Sequence, residues 1–436
     1  MNLRSRFFFL LITMMVSLTT PLAASGFGIY DQGVQSTGAA GAVVARAEDA
    51  SAVFHNPAGL AQLPYQELAF SVRPHFSKSF YSNAGQTTFD SEGSIDALPS
   101  LFYAKPMGRF GLGLATTTTN HFRLDWDEPD FPGRFLSRGS EFLTQDILAG
   151  IGFRLTDAWS IGLSYRYVLA DYNYDRVLNR PIDGNADPLF FETHQKVETD
   201  GDGTGFIFGI QYYPGRKFSI GASYQSAVDL DLDGNSRVSQ LTRLNDQRAV
   251  DVFNNSFNDT NALTAWELPE RIQVGFATKV TVRTRIEFDV SREDWSGNQT
   301  QVISVGGENI VEPRGWEEVY SYRLNGDFQQ RKALLWRIGL ANVRRAMPSE
   351  TVEPSFPDGD RFSYSFGVSY TYQRRYILEA AILYTQNRDR QVTNLDYVPS
   401  TETDDFVIAT GESGTFETQR WQFNLGARIR FGVPTD

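Results

Sequence analysis

Along most of the chain, hydrophobic and polar side chains alternate with a period of two. In the segment LAFSVRPHF, Leu68, Phe70, Val72, Pro74 and Phe76 fall on one face while Ala69, Ser71, Arg73 and His75 fall on the other, because successive residues of an extended strand point to opposite sides. WSIGLSYRYVL sets Trp159, Ile161, Leu163, Tyr165, Tyr167 and Leu169 against Ser160, Gly162, Ser164 and Arg166. The pattern returns in Phe206, Phe208, Ile210 and Tyr212, in Phe218, Ile220, Ala222 and Tyr224, and in Ile272, Val274 and Phe276. It returns again in FSYSFGVSYTY and WQFNLGARIRF near the C-terminus. One segment is decisive for the second face: Val282, Ile286, Phe288 and Val290 oppose Arg283, Arg285, Glu287 and Asp289. A soluble core has no place for four charges in a row on its inner face.

The alternation predicts strands near 67–77, 98–105, 109–117, 142–155, 159–170, 204–213, 217–230, 270–280, 282–292, 317–325, 333–342, 361–372, 375–386 and 419–431. The links 78–97, 118–141, 171–203, 231–269, 293–316, 343–360 and 387–418 are long, whereas those between them are mostly tight turns, such as Pro106 to Gly108 and Thr156 to Ala158. Long and short links in strict succession are the mark of a transmembrane barrel with brief periplasmic turns and extended extracellular loops. A soluble sandwich has no reason for that succession. Parity alone leaves open which face is in; the links favour an all-β fold, a 14-stranded antiparallel transmembrane β-barrel with its oily face in lipid. No stretch after residue 25 approaches the ~18 apolar residues of a membrane helix.

Composition narrows this further. The 436 residues carry a net charge of −12, which excludes a dedicated nucleic-acid binder. The 33 Phe, 19 Tyr and 7 Trp, with 37 Gly, suit strands better than helices. Arg4 and Arg6 ahead of the apolar run FFFLLITMMVSL and the small-residue stretch PLAAS predict a secretory signal peptide over residues 1–24. The absence of cysteine removes disulfides and thiolate sites, and His55, His75, His121 and His194 lack ligand spacing, so no metal and no cofactor is expected.

Residues 25–64, SGFGIYDQGVQSTGAAGAVVARAEDASAVFHNPAGLAQLP, lack strand alternation and are rich in Gly and Ala. A barrel of this size has a lumen that its own wall cannot fill, so this segment is expected to lie inside it, with 65–436 forming the wall. Here the sequence resembles a known family. Gly26-Phe27, the Gly38 to Gly41 spacing, Glu48-Asp49-Ala50-Ser51 and above all Asn56-Pro57-Ala58 with Gly59-Leu60 are similar to the N-terminal hatch of the outer-membrane long-chain fatty acid transporters of the FadL type. PGRFLSRGSEFLTQDI, IGASYQSAVDLDLDGN, LPERIQVGFA and PDGDRFSYSFG extend the resemblance over nearly all of the mature chain. It implies a 14-stranded barrel with a hatch at Asn56, Pro57 and Ala58, in the Gram-negative outer membrane, passing fatty acids or aromatic hydrocarbons from an extracellular groove to a lumenal pocket and sideways through the wall. In the family the third strand is kinked to open that wall, whereas RFGLGLATTTTNHF has no glycine after Gly113 to mark a bend.

A scarce hydrophobic ligand needs an apolar landing site. Val177, Leu178, Ile182, Leu189, Phe190 and Phe191 in one long link, and Val252, Phe253 and Phe257 in the next, are the candidates; by resemblance these links correspond to the family's groove-forming loops. A carboxylate would seek an arginine in a partly dry lumen, and inward parity selects Arg73, Arg166 and Arg337, which can equally balance Glu287, Asp289 and Glu379. The expected partners are hydrophobic small molecules and outer-membrane lipids, with the plugged barrel standing alone as a monomer. Two other readings fit the residues less well. One is a water-filled porin, which the barrel pattern alone allows. The other is a hydrolase using Ser71 and His75 on one strand face, but no GxSxG accompanies them, so no enzymatic activity is expected.

Overall fold

The computed structural model describes residues 28–83, 87–126, 128–181, 190–215, 217–241, 247–256, 259–392 and 414–433. Residues 1–27, which include the expected signal peptide over 1–24, lie outside the described residues. The wall strands are β1 (Gln66–Asn83), β2 (Ser94–Met107), β3 (Phe110–Asp125), β4 (Gly139–Arg154), β5 (Trp159–Pro181), β6 (Phe190–Tyr212), β7 (Phe218–Gln225 continued by Val228–Gln240) and β8 (Thr260–Leu268 continued by Glu270–Lys279). They are followed by β9 (Thr284–Asp294), β10 (Glu318–Arg331), β11 (Leu334–Val343), β12 (Arg361–Tyr372), β13 (Tyr376–Asn387) and β14 (Gly414–Phe431). Each pairs antiparallel with the next, and β14 returns to β1 with Gln66 opposite Phe431 and Asn83 opposite Gly414. Closure pairs both ends of the sheet, which hydrocarbon demands because an unpaired N–H or C=O there costs several kcal/mol. All fourteen strands expected from the sequence are present. No helix among the described residues is long and apolar enough to cross a membrane.

The facing is the one the turns implied. Around the half that carries the short turns, Phe70, Leu114, Leu163, Phe208, Val274, Phe366 and Leu425 are exposed on the outside of the ring. Arg73, Arg166, Glu287, Asp289, Arg337, Glu379 and Arg428 are buried inside it. Apolar groups outside meet lipid tails; charged groups inside meet one another.

Towards the other end the strands outrun the sequence expectation. Segments 171–203 and 231–269, read as links, are largely strand: β5 and β6 stay paired up to Pro181 and Phe190, and the second pieces of β6, β7 and β8 pair through Asp202 with Asp231 and Asp229 with Glu267. The reason is a reversal of polarity. On β5, Tyr165 and Leu169 face out, but beyond them Asp171 and Asp175 do, while Val168, Ala170, Tyr172 and Tyr174 are buried inside. On β7 the step at Ser226 and Ala227 changes the parity, so that Val228, Leu230 and Leu232 turn inward and Asp229, Asp231 and Asp233 outward. Pro269 does the same on β8, burying Trp266 and Leu268. An extra residue in one strand is how a sheet re-aims its side chains. Here it marks where the wall leaves the membrane and its outer face meets water.

The interior of this upper half is largely aromatic, with the buried Arg314, paired to Glu312 at 2.7 Å, lying over Trp266 and Phe356. Trp126 stacks on Phe131 at 4.5 Å, Phe142 lies 5.2 Å from Trp266, and Trp266 lies 5.7 Å from Trp316 and 5.4 Å from Phe356. Ala346, Met347, Val352 and Phe356 fold in from the β11–β12 connection to join them. Such ring pairs contribute roughly 0.5–1.5 kcal/mol each beyond the burial of their area.

Candidate functional site

Residues 28–63 occupy the interior of the lower half, held by wall strands on opposite sides of the ring. Asn56 caps the short 3₁₀ helix Pro57–Gln62, its Oδ1 accepting from Ala58 N at 3.2 Å. Pro at the first helical position suits this turn because its φ is preset and no N–H is needed. The Asn56 amide donates to Val44 O at 3.0 Å and, across to the wall, to Ile210 O at 3.1 Å and Ala222 O at 3.3 Å. Wall glycines make this approach possible: a Cβ on Gly209 would lie 2.1 Å from Asn56 Oδ1, and one on Gly162 would lie 2.2 Å from the Pro57 carbonyl carbon.

Two strands further round, on β9, Asp289 accepts from Val43 N at 2.9 Å and Val44 N at 3.1 Å, and Glu287 accepts from Ala45 N at 2.8 Å. Arg46 joins Glu287 through Nε and Asp327 through Nη1 at 2.6 Å. The charges read from β9 as a polar lumen thus bolt the N-terminal segment to the wall. His55, within that segment, approaches Gln32 O at 2.8 Å through Nε2, and burial pushes its pKa down to about 4, so the ring is neutral and donates.

The three sequence-selected arginines are buried in the lumen, and each is engaged by the chain itself. Arg73 donates to Asp31 O at 2.6 Å and Thr37 Oγ1 at 3.2 Å. Arg337 donates to Gln35 Oε1 at 2.8 Å and Ser369 Oγ at 2.7 Å and lies 3.6 Å from Asp327. Arg166 pairs with Asp146 at 2.7 Å. Ser71 and His75 share the inward face, but His75 is turned to Gln422 and to the ring of His121, 5.2 Å away.

The wall is not hydrogen-bonded all the way up between β2 and β3. Their ladder runs from Met107 opposite Phe110 to Ser100 opposite Thr117 and stops there. Above it, β2 continues to Ser94 paired with β1 alone, and β3 continues to Asp125 paired with β4 alone. The β3–β4 register slips by one residue between Thr118 and Asn120, so the bend is made by an extra threonine, not by a glycine. The window closes again where Glu92 N donates to Asp125 O at 2.7 Å. The backbone freed at the bulge is taken up from inside: Ile29 N donates to Thr119 O at 2.7 Å and the Gln32 amide to Thr118 O at 2.6 Å. Side chains alone span the window, with Asp96 3.4 Å from His121 Nε2 and 3.6 Å from Arg123 Nη1.

Behind the window lies a cavity of about 70 Å³ lined by Tyr30, His75, His121, Arg361, Arg420 and Gln422 among others. A second, smaller cavity, lined by Phe122, Trp316, Met347, Phe356 and Arg420, borders the aromatic interior above. Arg420 borders both, and its guanidinium enters no ion pair or side-chain hydrogen bond among the described residues. Arg420 and the inner aromatics are not among the sequence candidates, and the lateral opening, implied by the resemblance, has no glycine to mark it. Pro99 was the available signal for the window, since a proline inside a strand belongs at an unpaired edge.

Of the expected groove residues, Val177 is buried and Leu178 half-buried at the tip of β5. Phe253 is half-buried on the helix Gln247–Ser256, which also carries Val252, while Phe190 and Phe191 open β6. Ile182, Leu189 and Phe257 lie outside the described residues.

Residues 15–431 match the family described as outer membrane protein transport protein (OMPP1/FadL/TodX). The chain belongs to this family. It is 21% identical over 400 residues to the long-chain fatty acid transport protein of Escherichia coli K12, covering 85% of this chain and 89% of that protein. Its fold is similar to the crystal structure of a Pseudomonas aeruginosa FadL homologue, with a TM-score of 0.81 at 18% identity over 93% of this chain and all of the other. It is also similar to the P. putida toluene transporter TodX, with a TM-score of 0.73 at 13% identity over 93% of this chain and 100% of that one. The family and the barrel together assign the chain to the Gram-negative outer membrane.

Proposed function

We propose that this protein takes up hydrophobic compounds, long-chain fatty acids or hydrocarbons, passively across the outer membrane. The observation that carries the reading is the adjacency of three features: a buried aromatic cluster, a cavity bordered by Arg420, and a break in the β2–β3 ladder beside it. A ligand would land between the long strands near Val177, Leu178 and Phe253, with Ile182, Leu189, Phe190, Phe191, Val252 and Phe257 completing the groove. It would then descend among Trp266, Trp316 and Phe356 and leave sideways into lipid. A fatty-acid carboxylate would pair with Arg420, which borders the cavity and enters no ion pair among the described residues, in preference to Arg73, Arg166 or Arg337, which the chain already engages.

The segment around Asn56, Pro57 and Ala58 would act as a ligand-gated hatch. Binding in the adjoining cavity bears on Tyr30 and Asp31, and through the Arg73 contact to Asp31 on the segment as a whole. No reaction is ascribed to the chain, which would work as a single copy among outer-membrane lipids. The lumen filled by residues 28–63 argues against a general porin, since small ions need a continuous water path. The test is titration of the purified protein with oleate and with toluene, read by tryptophan fluorescence. Saturable quenching is expected for at least one. Failure of both to bind, together with large steady ion conductance in planar bilayers, would sink the reading in favour of the porin.

A further inference from the structure

At the end of the barrel that carries the short turns, the exposed charge is almost wholly basic. Lys105 and Arg109 flank the β2–β3 turn, Lys217 the β6–β7 turn, Lys279 and Arg283 the β8–β9 turn, and Lys332 the β10–β11 turn; all are exposed. None of them enters an ion pair among the described residues. Asp157 and Glu48 are the exposed acids close by, and Glu48 is bound by Arg285 at 2.8 Å. The acidic excess of the chain lies at the opposite end, where Asp200, Asp202, Asp229, Asp231 and Asp233 are exposed.

The basic groups sit at the hydrocarbon boundary, beside outward rings. Arg109 lies 5.8 Å from the ring of Phe153, and Arg375 lies 5.3 Å from Tyr376 and 5.8 Å from Phe431. Long cationic side chains lay their stems on apolar surface and lift the charge to the headgroup level.

The arrangement is most developed at one point. A cavity of about 180 Å³ at this rim is lined by Arg46, Glu48, Tyr213, Lys217, Lys279 and Arg285, with Phe218 at its edge. Arg46 is matched by Glu287 and Asp327, and Arg285 by Glu48 and Asp327. Lys217 and Lys279, joined by a hydrogen bond from Lys279 N to Lys217 O at 2.9 Å, are left uncompensated. Directly above them, on the membrane side, Phe218 and Phe276 stack with centroids 5.9 Å apart on the lipid-facing surface, 46% and 44% exposed.

We propose that Lys217 and Lys279 bind the phosphate of an anionic phospholipid in the adjoining leaflet, with an acyl chain lying along Phe218 and Phe276. Two cations and no free acid select a headgroup with net negative charge over a zwitterion, whose ammonium they repel. An apolar platform contiguous with the charge, at the depth of the lipid boundary, fits a lipid and not a water-soluble acidic protein.

The test is native mass spectrometry of the full-length mature protein released from detergent containing equimolar phosphatidylglycerol and phosphatidylcholine. The wild type is expected to retain phosphatidylglycerol several-fold over phosphatidylcholine. The K217Q/K279Q double variant should lose most of that preference, K217R/K279R should keep it, and K332Q, at another turn, should leave it unchanged. Heat-modifiable gel mobility establishes that each variant is a folded barrel. Equal retention of the two lipids by the wild type would overturn the proposal, as would undiminished preference in K217Q/K279Q. Complete displacement of the lipid by excess inorganic phosphate would also overturn it, by reducing the site to a simple anion pocket.

Discussion

The lower and upper halves of the barrel wall are built from the same period-two strand, yet they face opposite ways. In the lower half Val274 and Phe276 of β8 look out and Gln273 and Gly275 look in; in the upper half of the same strand Trp266 and Leu268 look in and Glu267 looks out. The difference lies in the surroundings. Hydrocarbon outside the lower half rewards apolar groups there and leaves the lumen to charged side chains, which then hold the N-terminal segment through Arg46, Glu287, Asp289 and Asp327. Water outside the upper half reverses the preference, and the interior becomes an aromatic chamber suited to a greasy ligand. Polarity in this wall is a property of depth, and a one-residue step at Ser226-Ala227 or Pro269 suffices to switch it.

That comparison can be broken at several points. The largest effect is expected in the lower lumen: Arg46→Ala strands Glu287 without its cation and leaves Asp327 only Arg285 and Arg337, and removing one partner of a buried pair costs about 3–5 kcal/mol. Denaturant titration should show the loss, and planar bilayers should show intermittent ion conductance as the segment loosens; an unchanged closed barrel would refute the bolt. Next, Val274→Arg puts a charge on the lipid face and should cost about 2–4 kcal/mol in folding into bilayers. A cost near zero would mean that this face does not meet hydrocarbon. Asn56→Ala deletes contacts to two wall carbonyls and should cost about 1–3 kcal/mol, read as faster amide exchange over residues 43–62 with the wall strands unaffected. The smallest change is Asp231→Leu, on the outer face of the upper half. It should alter stability by no more than about 0.5 kcal/mol, and relief of the Asp202–Asp231 juxtaposition opposes any loss. A penalty as large as that of Val274→Arg would erase the distinction between the halves.

The expected groove and the lumenal arginines show where sequence reasoning reaches its limit. Arg73, Arg166 and Arg337 were correctly placed inside by parity, because facing is a local property of an extended chain. Whether a guanidinium is free for a ligand depends on acids brought from far along the chain: Asp31 for Arg73, Asp146 for Arg166, Asp327 for Arg337. Arg420 stands out only once those pairings are known. The segments 171–203 and 231–269 read as links because outward apolar residues end near Leu169 and Tyr224, whereas the inward residues beyond them, Tyr172, Tyr174, Val228 and Leu230, continue the alternation in the opposite sense.

What the amino-acid order determined by itself is the number of strands, their succession and the side on which each residue stands, since these follow from a two-residue repeat and the length of each connection. What only the tertiary structure decided is which neighbours meet. The missing rungs between β2 and β3, the bolts that hold residues 28–63 and the shared border at Arg420 all join positions remote in sequence. They exist because closing the sheet into a ring fixes distances across a lumen that no local pattern encodes.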